Sequence, residues 1–114
     1  MKKIKRGDVY FVQLYNKSKH VQSGKRPCVV VQNDDGNKFS PTLIVIPLTS
    51  KIKKTYLPVH VILGCETMAL CECILTISKD QVIHYVKSFD DKTMRKIDDA
   101  LSISMGFKIG RAHV

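Results

Sequence analysis

Short apolar runs separated by turn-forming residues occupy most of the chain and predict a mainly β domain. The second run is apolar at consecutive positions, which is typical of a strand buried on both faces. Between the first two runs, residues 15–25 are polar and long for a hairpin connection, so we expect a functional loop there. The runs of strand length are residues 9–14, 27–32, 42–47, 55–63, 72–77 and 83–86.

The connections between the runs carry their own predictions. Residues 33–37 read Asn-Asp-Asp-Gly-Asn and predict a tight turn, because Gly and Asn accept positive φ values. Pro41 and Pro47 are expected to bracket the third strand, since proline cannot donate to an interior ladder. Ser78 and Gln81 match the S-x-x-Q capping box, which predicts a single helical turn before the last strand.

The apolar period changes near the C-terminus. Apolar side chains then recur every three or four residues, which predicts an amphipathic helix from Asp90 or Asp91 through Met105. Asp90 suits the N-cap, and Gly106 suits a left-handed helix end. We therefore expect a β-rich body closed by a C-terminal helix. The stripe expected to face the core is Met94, Ile97, Leu101 and Met105.

Length and hydropathy indicate one independent domain. The chain has 114 residues, 44% of them hydrophobic, which is enough for a core without disulfides or metal. A single domain over residues 1–114 is expected. No apolar run approaches the roughly 20 residues that cross a bilayer, and the first residues lead into a strand instead of a signal peptide. A soluble, cytoplasmic protein without a membrane partner is expected.

The charge is uneven along the chain. The net charge is +9, from 19 Lys and Arg against 10 Asp and Glu. Residues 1–54 hold 12 basic and 3 acidic side chains, whereas residues 55–114 hold 7 of each. Such a field attracts polyanions, so nucleic acid is the leading partner class, with an acidic protein behind it. A generally basic, solubilising surface is the alternative.

Cysteine and histidine spacings do not predict a metal site. The cysteines are separated as C-x36-C-x5-C-x-C, which matches no zinc or thioredoxin spacing, and no HxxxH or HExxH occurs. We expect reduced cysteines and no cofactor. If residues 71–77 form a strand, Cys71 and Cys73 share a face with Leu75 and Ile77 and pack in the core.

A series of short motifs is more specific. In chain order they are Arg-Gly-Asp-Val-Tyr at 6–10, Gly-Lys-Arg-Pro at 24–27, Gln-Asn-Asp at 32–34, Ser-Pro-Thr at 40–42, Pro-Leu-Thr-Ser at 47–50, Leu-Pro-Val-His-Val at 57–61, Thr-Ile-Ser-Lys at 76–79, and the helical segment 94–101. With these motifs the chain resembles the MazF/PemK family of toxin endoribonucleases from toxin–antitoxin modules. The resemblance covers residues 4–105.

The resemblance implies a compact SH3-like β-barrel with a C-terminal helix. It also implies a homodimer that cuts single-stranded RNA at short sequence motifs without a metal ion. The products would be a 2′,3′-cyclic phosphate and a 5′-hydroxyl. A cognate antitoxin with an acidic tail would cover the same groove. The family's catalytic Arg and Thr correspond to Arg26 and Thr49.

The chemistry of these residue types is consistent with those roles. Cleavage by the neighbouring 2′-hydroxyl needs positive charge at the phosphate oxygens, which the bidentate guanidinium of Arg26 can supply. Arginine is a poor acid or base near pH 7, so we expect Arg26 to stabilise the transition state. Thr49, with Ser50 as the alternative, would orient the phosphate or the hydroxyl. A plain surface arginine is the competing interpretation.

Further RNA contacts are expected around the same groove. The candidate RNA-binding residues are Lys17, Lys19, Gln22, Lys25, Ser50, Lys51, Lys53 and Lys54. The lysines would bind phosphates without reading sequence. The loop aromatics Tyr15, Phe39 and Tyr56 would stack on unpaired bases or pack on the barrel.

The chain departs from the family pattern at three positions. Val21 replaces an acidic residue of the first loop, and Cys73 and Leu75 replace the Gln and Arg of an E-Q-I-R-T motif. These changes affect the expected base preference or activity. His20 lies in the altered loop and is a candidate proton carrier, because histidine titrates near neutral pH. An ordinary exposed histidine is the alternative.

Three functions are compatible with these features. The first is a ribonuclease toxin. The second is a non-catalytic toxin of the same fold that binds a protein target such as a topoisomerase. The third is a degenerate member that binds an antitoxin or DNA. The intact Arg26 and Thr49 pair favours the first.

Overall fold

The computed structural model describes residues 3–17, 22–51, 58–64 and 67–107. Its strands are β1 (Asp8–Leu14), β2 (Gly24–Val30), β3 (Thr42–Thr49), β4 (His60–Leu63), β5 (Thr67–Leu70), β6 (Leu75–Ser78) and β7 (Val82–Ser88). Its helices are α1 (Asp34–Phe39) and α2 (Asp91–Met105), and a single 3-10 turn covers Lys79–Gln81. All paired strands are antiparallel, in the order β4-β5-β3-β2-β1-β7, and β6 also pairs with β3.

The sheet has an apolar core on each face. Side chains alternate along β1, so Tyr10 and Val12 enter one core while Val9 enters the other. The first core is Tyr10, Val12, Leu14, Cys28, Val30, Leu43, Val45 and Ile77. The second core lies under α2 and contains Val9, Val29, Ile46, Leu48, Ala69, Cys71, Met94, Ile97 and Ala100. The consecutive apolar residues of β2 therefore reflect burial on both faces, as predicted.

The C-terminal helix begins and ends where the sequence predicts. The Asp90 side chain accepts the Thr93 backbone N–H at 2.8 Å, and Gly106 ends α2 with φ of 75°. Met94 and Ile97 are buried as expected. Met105 is 54% exposed, so its prediction as a core residue is wrong. It lies in the last helical turn, beyond the second core.

Arg6 connects the N-terminal segment to α2. Its Nε donates to the Val31 carbonyl at 2.9 Å, and its guanidinium forms a two-point ion pair with the Asp98 carboxylate. Its backbone N–H donates to Asp34 Oδ1 at 2.7 Å. One side chain thus links the start of β1, the end of β2 and the helix.

The predicted turn at residues 33–37 is wrong, because this segment opens α1. Asn33 is the N-cap, and its side chain accepts the Gly36 N–H at 2.8 Å. Asp34 and Asp35 lie in the first turn, where carboxylates favour a helix. Gly36 is needed for space, since a Cβ there would lie 2.9 Å from Gln32 Cδ. Asn and Asp start helices as readily as turns.

Pro47 does not end the third strand, which continues to Thr49. It is paired with Cys28, and this is the last pair between β2 and β3. Proline has no backbone N–H to donate. Because the β2–β3 ladder ends at this pair, Pro47 does not need to donate a hydrogen bond to β2. The fold thus accepts a buried proline inside a strand.

The predicted strand at 72–77 is confirmed only from residue 75, where β6 begins. Residues 71–74 form a turn, and β5, which precedes this turn, was not predicted. Both β5 and β6 pair antiparallel with β3, but their registers differ, and residues 71–74 absorb the difference. Cys71 consequently enters the core under α2, whereas Leu75 and Ile77 pack in the opposite core. Cys71 and Cys73 therefore do not share a strand face with Leu75 and Ile77. The described cysteines, Cys28, Cys71 and Cys73, are free thiols.

The other strand boundaries differ from the predicted ones, but the order of these elements is the same. The second strand begins at Gly24 instead of residue 27, and the last strand spans Val82–Ser88. The predicted strand 55–63 is seen as His60–Leu63, and its first half lies outside the described residues. The capping box is confirmed, since the Ser78 N–H donates to Gln81 Oε1 at 2.8 Å. No helix in the described ranges is long and apolar enough to span a membrane.

Candidate functional site

Arg26 and Thr49 lie at the same end of the sheet. Cys28 pairs with Pro47 and Val29 with Ile46. Continuing that register places Arg26 opposite Thr49, and directly opposed residues of antiparallel strands point to the same face. The two strands separate just before this point, because the β2–β3 ladder ends at Pro47. The sheet therefore opens where the two predicted catalytic side chains lie.

Arg26 is exposed and positioned by a single hydrogen bond. Its Nε donates to the Ser23 carbonyl at 3.1 Å. Within the described part of the chain, no carboxylate lies within ion-pair distance of its guanidinium. The terminal N–H groups of the guanidinium remain available to an outside anion. A bidentate phosphate contact is the chemistry that this arrangement supports.

Thr49 ends β3 and begins a tight local turn. Its Oγ1 accepts the Lys51 backbone N–H at 3.1 Å. The hydroxyl hydrogen of Thr49 can still donate to a phosphate or ribose oxygen. Ser50 and Lys51 are exposed immediately after it. The segment 49–51 thus presents a hydroxyl and a cation beside Arg26.

The turn at residues 71–74 contacts the loop after β1, here named loop 1 (residues 15–23). Burial raises the pKa of the Cys73 thiol, and the Gln22 backbone N–H, which hydrogen-bonds to its sulfur, acts against that rise. Burial, with the nearby Cys73, raises the pKa of Cys28 to about 12, against the opposite effect of Arg26. Cys28 is therefore a buried, protonated thiol behind Arg26, and the half-buried Cys73 lies beside it.

A histidine–carboxylate pair adjoins this turn, and the sequence analysis did not single it out. His60 Nε2 lies 2.9 Å from Glu72 Oε2. The His60 side chain is 6% exposed, while that of Glu72 is 45% exposed. Within the described residues, the buried His60 Nδ1 has no hydrogen-bond partner. A buried imidazole thus holds a solvent-facing carboxylate next to Cys73.

The sequence contains weak indications of this pair. His60 lies in the Leu-Pro-Val-His-Val motif, and Glu72 opens the segment that matches E-Q-I-R-T. Neither motif assigns a role to its acidic or basic residue. The two are brought together by the antiparallel pairing of β4 with β5, which places His60 opposite Leu70.

The other predicted site residues divide by location. Lys17, Lys25 and Lys51 are exposed, and Gln22 is half-buried in loop 1. Lys25 projects from the face of β2 opposite to Arg26, because adjacent strand residues alternate. Lys19, His20, Val21, Lys53, Lys54 and Tyr56 lie outside the described residues.

The candidate stacking aromatics lie at opposite ends of the fold. Tyr15 follows β1 at the end of the sheet where β2 begins and Arg26 lies, and it is 77% exposed. Phe39 is 76% exposed but belongs to α1, which joins the far ends of β2 and β3. Lys38 Nζ lies 5.2 Å from its ring centroid. Phe39 is therefore separated from the Arg26 end.

Ligands for a metal are not clustered in the part of the chain that the structure describes. No group of three or more His, Cys, Asp or Glu side chains there is arranged to hold an ion. The chemistry that the described side chains offer is a phosphate-binding guanidinium, a hydroxyl and a histidine-supported carboxylate.

Comparison with known proteins places these residues in a family context. A family model described as PemK-like, MazF-like toxin of type II toxin-antitoxin system matches residues 5–105. The chain is 42% identical over 109 residues to Endoribonuclease EndoA of Bacillus subtilis, covering 90% of this chain and 94% of that protein. It is 37% identical over 117 aligned residues to Endoribonuclease MazF of Staphylococcus saprophyticus, covering 96% and 98% of the two chains.

Solved structures share the fold. An endoribonuclease from a mycobacterial species matches with a TM-score of 0.79 at 24% identity, over 96% of this chain and 97% of that chain. MazF from Deinococcus radiodurans matches with a TM-score of 0.78 at 17% identity, over 94% and 100%. A mycobacterial endoribonuclease in complex with its cognate antitoxin matches with a TM-score of 0.74 at 24% identity, over 96% and 99%. The predicted fold class is confirmed: an antiparallel β-structure with a C-terminal helix, of the MazF type. The extent of the family match and the level of identity to these relatives together show that the chain belongs to the PemK-like, MazF-like toxins of type II toxin–antitoxin systems.

Proposed function

We propose that this protein, an endoribonuclease of the MazF type, cuts single-stranded RNA without a metal ion at a phosphate bound between Arg26 and Thr49. The observation that carries the proposal is the register of β2 and β3, which puts these two side chains on one face where the strands part. The products are a 2′,3′-cyclic phosphate and a 5′-hydroxyl.

Arg26 and Thr49 act on the phosphate. The guanidinium of Arg26 binds two phosphate oxygens and stabilises the charge that develops on them in the transition state. The Thr49 hydroxyl orients the phosphate relative to the attacking 2′-hydroxyl. The 2′-oxygen forms a bond to phosphorus as the bond from phosphorus to the 5′-oxygen breaks.

Glu72 is the group that we assign to proton removal. A carboxylate can accept the 2′-hydroxyl proton, which neither arginine nor threonine can do near neutral pH. Glu72 is solvent-facing, lies in the turn at residues 71–74 that contacts loop 1, and is oriented by His60. The leaving 5′-oxygen takes a proton from water. His20 stays a second candidate proton carrier.

The basic side chains supply affinity for the RNA backbone. Lys17, Lys25 and Lys51 are exposed near the open end of the sheet, and each can neutralise a phosphate. Gln22 and Ser50 add polar contacts next to Arg26. The same role is proposed for Lys19, Lys53 and Lys54.

The proposed partners are an acidic antitoxin and a second copy of the chain. The net charge of +9 favours an acidic polypeptide as the antitoxin. An apolar groove of about 350 Å³ lies between α2 and the sheet, with Ile74, Met105 and Phe107 exposed along it. Exposed apolar area of this kind marks a protein interface, and we assign it to the homodimer. The proposed site of action is the cytoplasm.

The test is cleavage of a long single-stranded RNA in EDTA, with mapping of the fragment ends. The wild type should cut at discrete sites, whereas Arg26→Ala and Thr49→Ala should each lose at least about a hundredfold in rate. Arg95→Ala, an exposed arginine of α2, is the matched control and should cut normally. Absence of cuts by the wild type would contradict the proposal and favour a toxin that binds a protein target.

A further inference from the structure

A small cleft opens between the end of β1 and the start of β6. Its volume is about 160 Å³. Leu14 and Leu75 form its apolar floor, and both belong to or pack on the first core. Tyr15, Asn16, Thr76 and Gln81 surround the opening. We name this space the Tyr15 cleft.

The Tyr15 cleft is joined to the proposed cleavage site by two contacts. Asn16 Nδ2 donates to the Gln22 carbonyl at 2.9 Å, which ties the rim of the cleft to the far side of loop 1. Gln22 in turn meets the Cys73 sulfur through its backbone N–H. Asn16, Gln22 and Cys73 therefore form a chain of contacts from the rim of the cleft toward the Arg26 side.

The rim of the cleft is rigid on one side and open on the other. Gln81 is fixed, because its Nε2 donates to the Gln13 carbonyl at 2.7 Å and its Oε1 accepts the Ser78 N–H. Tyr15 by contrast is 77% exposed, with no stacking partner among the described aromatic side chains. A flat exposed ring beside an apolar floor fits a flat aromatic ligand.

We propose that the Tyr15 cleft holds one unpaired nucleobase of the bound RNA and sets the base preference at that position of the cleavage motif. The inference rests on the proposed ribonuclease function. The base stacks on Tyr15, its face contacts Leu75, and its polar edge meets the Asn16 amide.

The chemistry of the lining favours a base over other occupants. The described residues that line the cleft include no acidic side chain, so they do not repel a neighbouring phosphate. Lys17 is exposed two residues after Tyr15 and can bind that phosphate. Leu75, which stands where the family pattern has Arg, makes the floor apolar in this chain. Its base preference should therefore differ from that of relatives with a charged side chain there.

The first test maps the cut sites of each variant on RNA with a randomised segment. In Tyr15→Ala and Leu75→Arg, preference at one motif position near the cut should fall by about 5- to 100-fold, while the other positions keep theirs. Phe39→Ala is the matched control for Tyr15, since it removes an equally exposed ring at the far end of the fold. Ile83→Arg adds the same charge as Leu75→Arg on an exposed part of β7.

A second measurement is independent of cleavage. Short RNAs carrying 2-aminopurine at successive positions are bound to Arg26→Ala protein, and the fluorescence is recorded. One position should be quenched by stacking, and the additional Tyr15→Ala change should abolish that quenching.

Unchanged motif preference, or quenching that survives Tyr15→Ala, would overturn the proposal. Failure of the wild type to cut RNA would refute the ribonuclease function, and the fluorescence would still decide whether the cleft holds a base. A variant that loses fold, which circular dichroism detects, is replaced in this comparison by Asn16→Ala.

Discussion

Glu72 and His60 pair an exposed carboxylate with a buried imidazole. His60 Nε2 is hydrogen-bonded to the Glu72 carboxylate, and His60 Nδ1 has no hydrogen-bond partner among the described residues. Leaving a buried nitrogen unpaired costs free energy. Such an arrangement is expected where orientation of the carboxylate matters for function.

We predict that Glu72→Gln lowers the single-turnover cleavage rate by about 10²- to 10⁴-fold, because the amide cannot accept the proton. RNA affinity, measured by filter binding, should stay within about threefold, since Glu72 adds no positive charge. Glu72→Asp should recover part of the rate. If Glu72→Gln weakens binding instead of the rate, the assigned proton transfer is wrong. Asp80→Asn, at an exposed carboxylate on the 3-10 turn, is the control.

The buried thiols provide a test of side-chain placement. Burial raises the pKa of Cys28 and of Cys71 to about 12. Both thiols should therefore stay protonated at pH 8 and resist iodoacetamide in the native protein. Denaturation should expose them to rapid alkylation, which peptide mass spectrometry detects residue by residue. Rapid native labelling of either cysteine would contradict its position in the core.

The sequence predicted part of the site at the residue scale. Arg26 and Thr49 are predicted as site residues because each lies in a short motif that matches a family pattern. The link between His60 and Glu72 was not found, because it depends on how β4 lies against β5 and on the turn after β5. Twelve residues separate them, and no local period connects them.

The elements α1 and α2 show where local patterns are sufficient. The apolar period over α2 runs through four turns, so its cap and its glycine end were predicted at the correct residues. The helix α1 has six residues and no apolar stripe. Its first residues favour turns and helix starts alike, and only the contact of Gly36 with Gln32 and the cap at Asn33 decide between them.

The break between β5 and β6 is a different kind of failure. The apolar residues run almost without interruption from Met68 to Ile77, so the sequence has no turn signal there. The predicted strand 72–77 therefore starts too early and omits β5, because β5 and β6 pair with β3 in different registers and a turn must separate them. Register depends on the partner strand, which a local pattern does not contain.

Asp34 makes the stability of the α1 region depend on pH. The backbone N–H of Arg6, and then the Asn37 side chain, hydrogen-bond the carboxylate and hold its pKa below the usual range. Because the pKa of Asp34 is lower in the folded protein than in the unfolded chain, its carboxylate stabilises the fold at pH values above the unfolded-state pKa. This stabilisation is lost as the pH falls through the folded-state pKa. Asp34→Asn should therefore destabilise by about 0.5–1 kcal/mol at pH 7, a small effect because Asp34 is exposed.

The measurement is urea unfolding of wild type and Asp34→Asn between pH 7 and pH 3. The difference in unfolding free energy should be constant down to about pH 4 and shrink below it, where aspartate becomes protonated in the unfolded chain. Asp35→Asn is the control, since it shares the helix terminus without the bond from Arg6. A difference that grows on acidification would contradict the assignment.

At the scale of the whole molecule, charge and fold act together on RNA. The basic residues of the first half of the sequence are divided between the two ends of the sheet. Among the described residues, Lys17, Lys25 and Lys51 lie at the end where Arg26 lies, whereas Lys5 and Arg6 precede β1 at the end where α1 lies. Lys38 belongs to the same basic half but lies on α1, at the other end of the sheet. The sequence predicted the net charge and its bias, and the topology decides which lysines reach a common strand of RNA.

Salt dependence of binding distinguishes these lysines. In the Arg26→Ala protein, which we expect to bind RNA without cutting it, the logarithm of the association constant should fall linearly with the logarithm of salt concentration. Each lost phosphate contact to a single strand should reduce that slope by about 0.7. Lys17→Ala and Lys51→Ala should each do so, and the double variant should lose about 1.4. Lys38→Ala removes the same charge from the chain but should leave the slope unchanged, because α1 lies away from the bound strand. An equal loss of slope in all three variants would mean that RNA responds to the net charge alone, and a common binding groove at the Arg26 end would then be wrong.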